Sequence, residues 1–166
     1  MSINTSRGIS LIISLWIAKV FLFSLPYKFT NHPDTQHIFS TIGQWLSDTI
    51  AIGLGEYFAS FAAYIIGSVE LVAASMLLVA SAIWILTALK LLNSSINYRN
   101  LYFIAGLLST ALMSGAAFFH LFTPLGVEVV HRGQSDGGSL FYAALSILLL
   151  GLVLAFINRP EPASGA

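Results

Sequence analysis

The longest apolar stretch of this chain runs from residue 65 to residue 92 and carries only two charged side chains, Glu70 and Lys90. As an α-helix it would be about 42 Å long, which is enough to cross the roughly 30 Å hydrocarbon core of a bilayer with some tilt. An apolar run of this length is typical of a membrane span rather than of a core helix in a soluble protein. It therefore predicts an integral membrane protein.

The composition agrees with membrane insertion and excludes several function classes. Of the 166 residues, 57% are hydrophobic and 8% are charged, whereas a soluble domain carries about 25% charged residues. The formal net charge is zero, so no nucleic-acid surface is expected. The chain has no cysteine, which excludes disulfides, thiolate catalysis and cysteine-ligated metal.

Three further apolar stretches are long enough to span a membrane, which gives four predicted spans in all. The predicted spans are residues 8–27, 65–92, 101–122 and 140–157. The first run follows a single arginine and precedes no clear cleavage site, so it is expected to be retained as a span. Pro26 is expected to end span one, because proline disrupts helices. The sequence thus predicts one transmembrane domain over residues 1–166, an all-α four-helix bundle.

A short amphipathic helix is predicted over residues 35–52, between spans one and two. Its apolar residues fall at helical spacing and are Ile38, Phe39, Ile42, Trp45, Leu46 and Ile50. With polar residues on the other faces, this helix is expected to lie flat in the outer membrane interface, a depth that suits Trp45. The triplet Gly53-Leu54-Gly55 is expected to end it.

The basic residues near the span ends predict the orientation. One side of the membrane holds Arg7, Lys90, Arg99 and Arg159, and the other holds Lys28 and Arg132. By the positive-inside rule, both termini are expected in the cytoplasm.

Lys28, Glu70 and His120 come from three different spans and are expected at one depth near the outer side. In one interpretation they are structural: Lys28 reaches the headgroups, His120 bonds a carbonyl, and Glu70 pairs with one of them to hold the helices together. In the other they form a ligand-binding pocket under the amphipathic helix, where Glu70 and His120 could move protons for a quinone or another lipophilic ligand. The catalytic residues, if there are any, are unknown from the sequence.

Lys19 lies in the middle of span one, about two turns deeper than Lys28. A lysine at that depth reaches the headgroups only with difficulty, so it is expected to face protein or water. No residue of the sequence stands out as its partner.

The remaining polar residues give no metal or cofactor motif. The loop residues considered as metal ligands are His32, Asp34, His37, His131 and Asp136, and their spacing matches no strong motif. Only His120 among the histidines lies in a span, so a bis-histidine haem lacks its second ligand. No metal and no evident cofactor are therefore predicted, and Ser135 or Asp136 is expected to cap span four.

Three stretches carry a family resemblance. They are residues 19–29 (KVFLFSLPYKF), residues 67–71 (GSVEL) and residues 136–141 (DGGSLF). The first is a phenylalanine-rich run to a lysine, the second a glycine-to-glutamate entry into span two, and the third the entry into span four. Together they resemble the DoxX-like family of small four-span bacterial membrane proteins, although Leu25 stands where many members have glycine.

The resemblance implies a multi-pass protein of the bacterial inner membrane, with Lys28 and Glu70 as the family's polar pair. Members are linked with quinone-dependent sulfur oxidation and with membrane complexes that support resistance to thiol and oxidative stress. This implies an accessory or ligand-binding subunit of a quinone-linked or stress-related redox system, with the lipid bilayer and a redox protein as partners and the oligomeric state open.

Two other functions remain open from the sequence. A small-solute transporter or channel is the main alternative, although broken helices or repeats would be expected for a transporter. A quinone-linked oxidoreductase acting alone would need a cofactor that the sequence does not visibly bind.

Overall fold

The computed structural model describes residues 3–93 and 95–160, with the side chains of residues 3–5 left aside. Within these ranges the chain forms α1 (Ile3–Phe29), α2 (Pro33–Thr49), α3 (Ile52–Ala88), α4 (Tyr98–Phe122), β1 (Val130–His131), β2 (Gln134–Ser135) and α5 (Ser139–Asn158). The helices α1, α3, α4 and α5 are long and apolar enough to cross a membrane. The prediction of an all-helical protein with four helices of spanning length is therefore confirmed.

The four long helices form a ring around a shared apolar core. α1 packs against α3 and α5, and α4 packs against the same two helices, so α1 and α4 lie diagonally opposite. The most deeply buried apolar side chains of this core are Ile17, Phe21, Leu77, Ile147 and Leu154. They lie on α1, α3 and α5, and their burial fixes the relative rotation of these three helices.

The predicted span ends differ from the helix ends at two places. Pro26 was expected to end span one, but α1 continues to Phe29. The turn after Pro26 closes normally, since the Thr30 N–H donates to the Pro26 carbonyl over 3.0 Å. A proline lacks the backbone N–H donor but keeps its carbonyl acceptor, so a helix tolerates a proline near its end. Span two was predicted over residues 65–92, whereas α3 runs for 37 residues and ends four residues earlier, at Ala88.

The glycine triplet does not end the amphipathic helix. α2 stops at Thr49, the chain turns at Ile50 and Ala51, and both Gly53 and Gly55 lie inside α3. Gly55 faces Gly43 of α2 so closely that a Cβ on Gly43 would stand 2.7 Å from the Gly55 carbonyl oxygen. The glycines therefore permit close contact of α2 with α3 in an antiparallel hairpin. In the sequence Gly53 and Gly55 indicated a helix break, whereas in the structure Gly55 marks the place where the two helices pack together.

The apolar face of α2 is covered by protein. Phe39, Ile42 and Leu46 are all buried, against Phe58 of α3 and Leu125 and Val129 of the α4–α5 connection. The helix itself was predicted within a few residues, but the face expected to meet lipid packs inward. Helical periodicity identifies an apolar face and does not distinguish lipid from protein as its cover.

The α4–α5 connection is organised by Asp136. One carboxylate oxygen, Oδ1, accepts the Val129 and Gly138 N–H groups at 2.8 and 2.9 Å, and Oδ2 accepts the Leu140 N–H at 3.0 Å. Of the two predicted caps for span four, Asp136 is the one that bonds into α5. Burial by itself would raise the pKa of Asp136, but these three donors hold it below the ordinary value of 3.8.

Asp136→Asn should destabilise the protein by about 1–2 kcal/mol, because the variant keeps one acceptor oxygen and loses the charge that draws in three donors. Since the folded-state pKa is depressed, the contribution of Asp136 is fully present above pH 3.8 and is lost as the pH falls through the lower folded-state value. Denaturant unfolding in detergent at pH 7 measures the loss. The exposed Asp48→Asn serves as the control and should change stability by less than about 0.5 kcal/mol. Equal losses in the two variants would contradict the capping role.

Candidate functional site

A cavity of about 810 Å³ lies among the four long helices, beneath α2 and the β1–β2 hairpin. Every helix contributes to its wall. Most of the lining is apolar, with Phe21, Ile38, Phe119 and Ile147 as examples, and the polar residues fall into two groups. The first group is Ser24, Lys28, Glu70 and His120. The second group lies near the β1–β2 hairpin and includes Asp34, His131, Gln134, Ser135 and Asp136. A mostly apolar cavity of this size with a few convergent polar groups is typical of a small-molecule site.

Lys28 of α1 and Glu70 of α3 form an ion pair in the cavity wall. The Lys28 Nζ donates to Glu70 Oε2 over 2.7 Å, and the exposed fractions of the two side chains are 15% and 4%. Gly67, one turn before Glu70, lies against the Lys28 side chain, and a Cβ there would make an ordinary contact with it at 3.4 Å. The structure thus joins two of the three residues predicted for the site, while their role in ligand binding stays a prediction.

Ser24 is a third member of this cluster, and it was missed from the sequence. Its hydroxyl accepts a hydrogen bond from Lys28 Nζ at 2.8 Å. Its one hydrogen can be donated either to Glu70 Oε2 at 2.8 Å or to the Phe21 carbonyl oxygen of its own helix at 2.7 Å. Ser24 and Lys28 are four residues apart on α1, so both face α3. That spacing from a lysine was the available signal, but serines are frequent in this chain, and several of them, such as Ser60, Ser68 and Ser109, donate only to a carbonyl of their own helix.

Both protein contacts of the Glu70 carboxylate involve the same oxygen. Lys28 and Ser24 reach Oε2, and within the described ranges no side chain or backbone donor is bonded to Oε1. Glu70 lines the cavity. Its second oxygen is therefore available to accept a hydrogen bond from a molecule in the cavity.

His120 of α4 borders the same cavity but is not bonded to the pair. The ring is buried, its Nδ1 donates to the Gly126 carbonyl oxygen over 2.7 Å, and its edge meets Phe141. A hydrogen bond from His120 to a carbonyl is what the structural interpretation of the sequence predicted. Because Nδ1 carries the hydrogen, Nε2 of the neutral ring is the acceptor. His120 can therefore hold a helix end and still offer a nitrogen to a ligand.

A second polar group ties α2 to the hairpin at the opposite edge of the cavity. The Asp34 Oδ1 and His131 Nδ1 atoms lie 2.7 Å apart, and the His131 ring stacks on His37 with centroids 4.7 Å apart. The hydrogen bond from His131 lowers the pKa of Asp34 below its ordinary value. In the sequence these were loop residues whose spacing matched no metal-binding motif, and 97 residues separate Asp34 from His131, so no pattern in the sequence indicated their contact. In the described parts of the chain, no group of three or more potential ligands could hold a metal ion.

Lys19 lies on the outside of the bundle, away from the cavity. It is exposed, and its Nζ lies 5.8 Å from the Trp16 ring centroid and 6.0 Å from that of Phe23. It was expected to face protein or water. The described part of the chain therefore leaves Lys19 uncovered.

No protein-family model matches this chain, and neither a curated protein nor a solved structure shows significant similarity to it. The cavity is therefore the feature of this chain that indicates a function. The side chains there can bind, orient and exchange protons, but they do not themselves carry electrons. Any redox step would take its electrons from a bound molecule.

Proposed function

We propose that this protein is a ligand-binding subunit of the membrane that holds a quinone, or a lipophilic molecule with a similar polar ring, in the cavity between its helices. The observation that supports this proposal best is the buried Lys28–Glu70 pair in the wall of an apolar cavity of about 810 Å³. A charged pair is costly to bury in a membrane, and such residues commonly mark substrate or proton pathways.

The chemistry of a quinone fits the polar groups of this wall. The carbonyl oxygens of the oxidised form accept hydrogen bonds, which the Lys28 ammonium can donate. The hydroxyl groups of the reduced form donate hydrogen bonds, which the Glu70 Oε1 and the His120 Nε2 can accept. The ring and the isoprenoid tail suit the apolar part of the lining, for example Phe21, Phe119 and Ile147.

We further propose the cellular setting that the DoxX-like resemblance implies. The protein would lie in the bacterial inner membrane with both termini in the cytoplasm, on the side of Lys90, Arg99 and Arg159. The cavity would then open toward the outer leaflet. A redox partner protein, in a quinone-linked or thiol-stress system, would supply or accept the electrons.

A binding function is favoured over a transporter or channel by the core below the cavity. Ile17, Leu77 and Leu154 have exposed fractions of 0% and close the bundle between the cavity and the α3–α4 turn. α3 crosses this region as an unbroken helix. A transport pathway would be expected to pass through discontinuous helices.

The test is equilibrium binding of a short-tailed quinone to the purified protein in nanodiscs. Wild type should bind saturably, and Glu70→Gln should weaken binding by roughly tenfold or more, because a hydrogen bond to a charged group is worth about 1.5–3 kcal/mol. Ser24→Ala should also weaken binding, because it removes the hydroxyl that positions Lys28 against Glu70. Glu56→Gln, an exposed carboxylate on the same helix, is the matched control and should bind as wild type does. Non-saturable uptake, or equal binding by all four proteins, would refute the proposal.

A further inference from the structure

Lys19 is placed where a charged side chain is hardest to accommodate. Its helix has a membrane-spanning stretch from Ser6 to Phe29. At the rise of an α-helix, Lys19 lies about 15 Å from the Phe29 end and about 20 Å from the Ser6 end. It is therefore close to the middle of the apolar part of α1, on the face directed away from the bundle. A cation at this depth is rare unless it faces a partner.

In the described part of the chain, Lys19 has no acidic partner. Over residues 3–93 and 95–160, the ion pairs join Lys28 to Glu70 and Asp34 to His32 and His131. Its ammonium contacts only the faces of Trp16 and Phe23, which attract a cation without neutralising it. The other described carboxylates belong to α2, the start of α3 and the α4–α5 connection, all outside the middle of the bundle.

The residues around Lys19 form a regular stripe on the outer surface of α1. Its members are Ile12, Trp16, Lys19 and Phe23, spaced alternately by four and three residues, and all of them are exposed. That spacing is the seam by which one helix packs along another. Trp16 is held in place, because its indole Nε1 donates to the Ser146 hydroxyl of α5 over 3.2 Å. The stripe is thus an apolar surface with one positive charge near its centre.

We propose that this stripe docks a transmembrane helix of a different protein that carries an aspartate or glutamate at mid-membrane depth. Charge complementarity selects this occupant. A second copy of the chain would place Lys19 opposite Lys19 or opposite apolar residues, since its described carboxylates lie at other depths. A lipid phosphate lies at the membrane surface, far from Lys19. Of the stripe residues Phe23 alone also lines the cavity, whereas Ile12, Trp16 and Lys19 do not, so the docking centred on Lys19 does not require a ligand in the cavity.

The test uses a synthetic transmembrane peptide of leucine and alanine with one central glutamate, and its glutamine counterpart. Binding to the labelled full-length protein is measured by energy transfer in phosphatidylcholine vesicles at pH 8. Wild type should bind the glutamate peptide at least about tenfold more tightly than the glutamine peptide, and Lys19→Met should bind both alike. Lys19→Met should be at least as stable to denaturant as wild type, since the Lys19 side chain is exposed and makes no ion pair among the described residues.

A relocated lysine separates docking at the stripe from simple charge attraction. Leu107 is an exposed residue of α4, the helix diagonally opposite α1. The double variant Lys19→Met/Leu107→Lys should not regain the preference for glutamate. The proposal is overturned if this variant regains it, if wild type binds both peptides equally, or if Lys19→Met keeps the preference. It is also overturned if phosphatidylglycerol in the vesicles abolishes the preference of wild type, because a lipid headgroup would then be the occupant.

Discussion

Glu70→Gln and Lys28→Met should each destabilise the protein by on the order of 3–5 kcal/mol, and the double variant should lose less than the sum of the two. Each single change leaves one member of a buried pair without its opposite charge, whereas the double change leaves none. The Lys28 Nζ and Glu70 Oε2 atoms are 2.7 Å apart and their side chains are mostly shielded, so the coupling should be large. Unfolding of all four proteins in the same detergent gives the coupling free energy directly.

Two controls separate the pair from general effects of removing a charge. Lys19→Met removes an exposed lysine of the same helix, and Glu56→Gln neutralises an exposed carboxylate of α3. Both variants should have a free energy of unfolding close to that of wild type. Additive losses in the Lys28 and Glu70 variants would show that the two residues do not interact, and the proposed site would fail with them.

Quinone binding by the double variant distinguishes a structural pair from a functional one. If the pair only joins α1 to α3, the double variant should recover both stability and binding. If the pair also binds the ligand, the double variant should recover stability and remain defective in binding. Ser24→Ala adds an independent measurement, because it removes a hydroxyl from the same cluster and leaves both charges in place.

The Lys28–Glu70 contact was foreseeable because helical rise converts position in a span into depth. Lys28 lies at the end of span one and Glu70 about one turn into span two on the same side, so residue positions alone place the two side chains at matching depths. Hydropathy located the four spanning helices for a similar reason. A helix that crosses lipid must be apolar over most of its length, and this is a property of the local sequence.

The parts that the sequence did not reveal depend on contacts between distant segments. Asp34 and His131 meet only because α2 folds back along α3 and approaches the hairpin after α4. The apolar face of α2 looked like a membrane-surface helix because lipid and a protein core have the same apolar character. Ser24 was overlooked because a hydroxyl becomes informative only when the groups on the neighbouring helix are known.

Gly55→Ala should destabilise the protein by about 1–3 kcal/mol and weaken ligand binding, although alanine normally favours a helix. A Cβ on Gly55 would overlap the Gly43 carbonyl oxygen and the Ser47 side chain, so α2 would have to move away from α3. α2 supplies Asp34, Ile38 and Ile42 to the cavity wall. A shift of α2 therefore changes the site as well as the stability.

Gly53→Ala is the matched control, because a Cβ on Gly53 has no neighbouring atom within 4 Å. It lies two residues earlier in the same helix and should leave stability unchanged or raise it by up to about 1 kcal/mol. Unfolding in detergent and quinone binding in nanodiscs are measured for both variants. Equal effects of the two alanines would show that α2 does not pack on Gly55. Loss of stability in Gly55→Ala with binding fully retained would show that α2 packs there but does not shape the cavity.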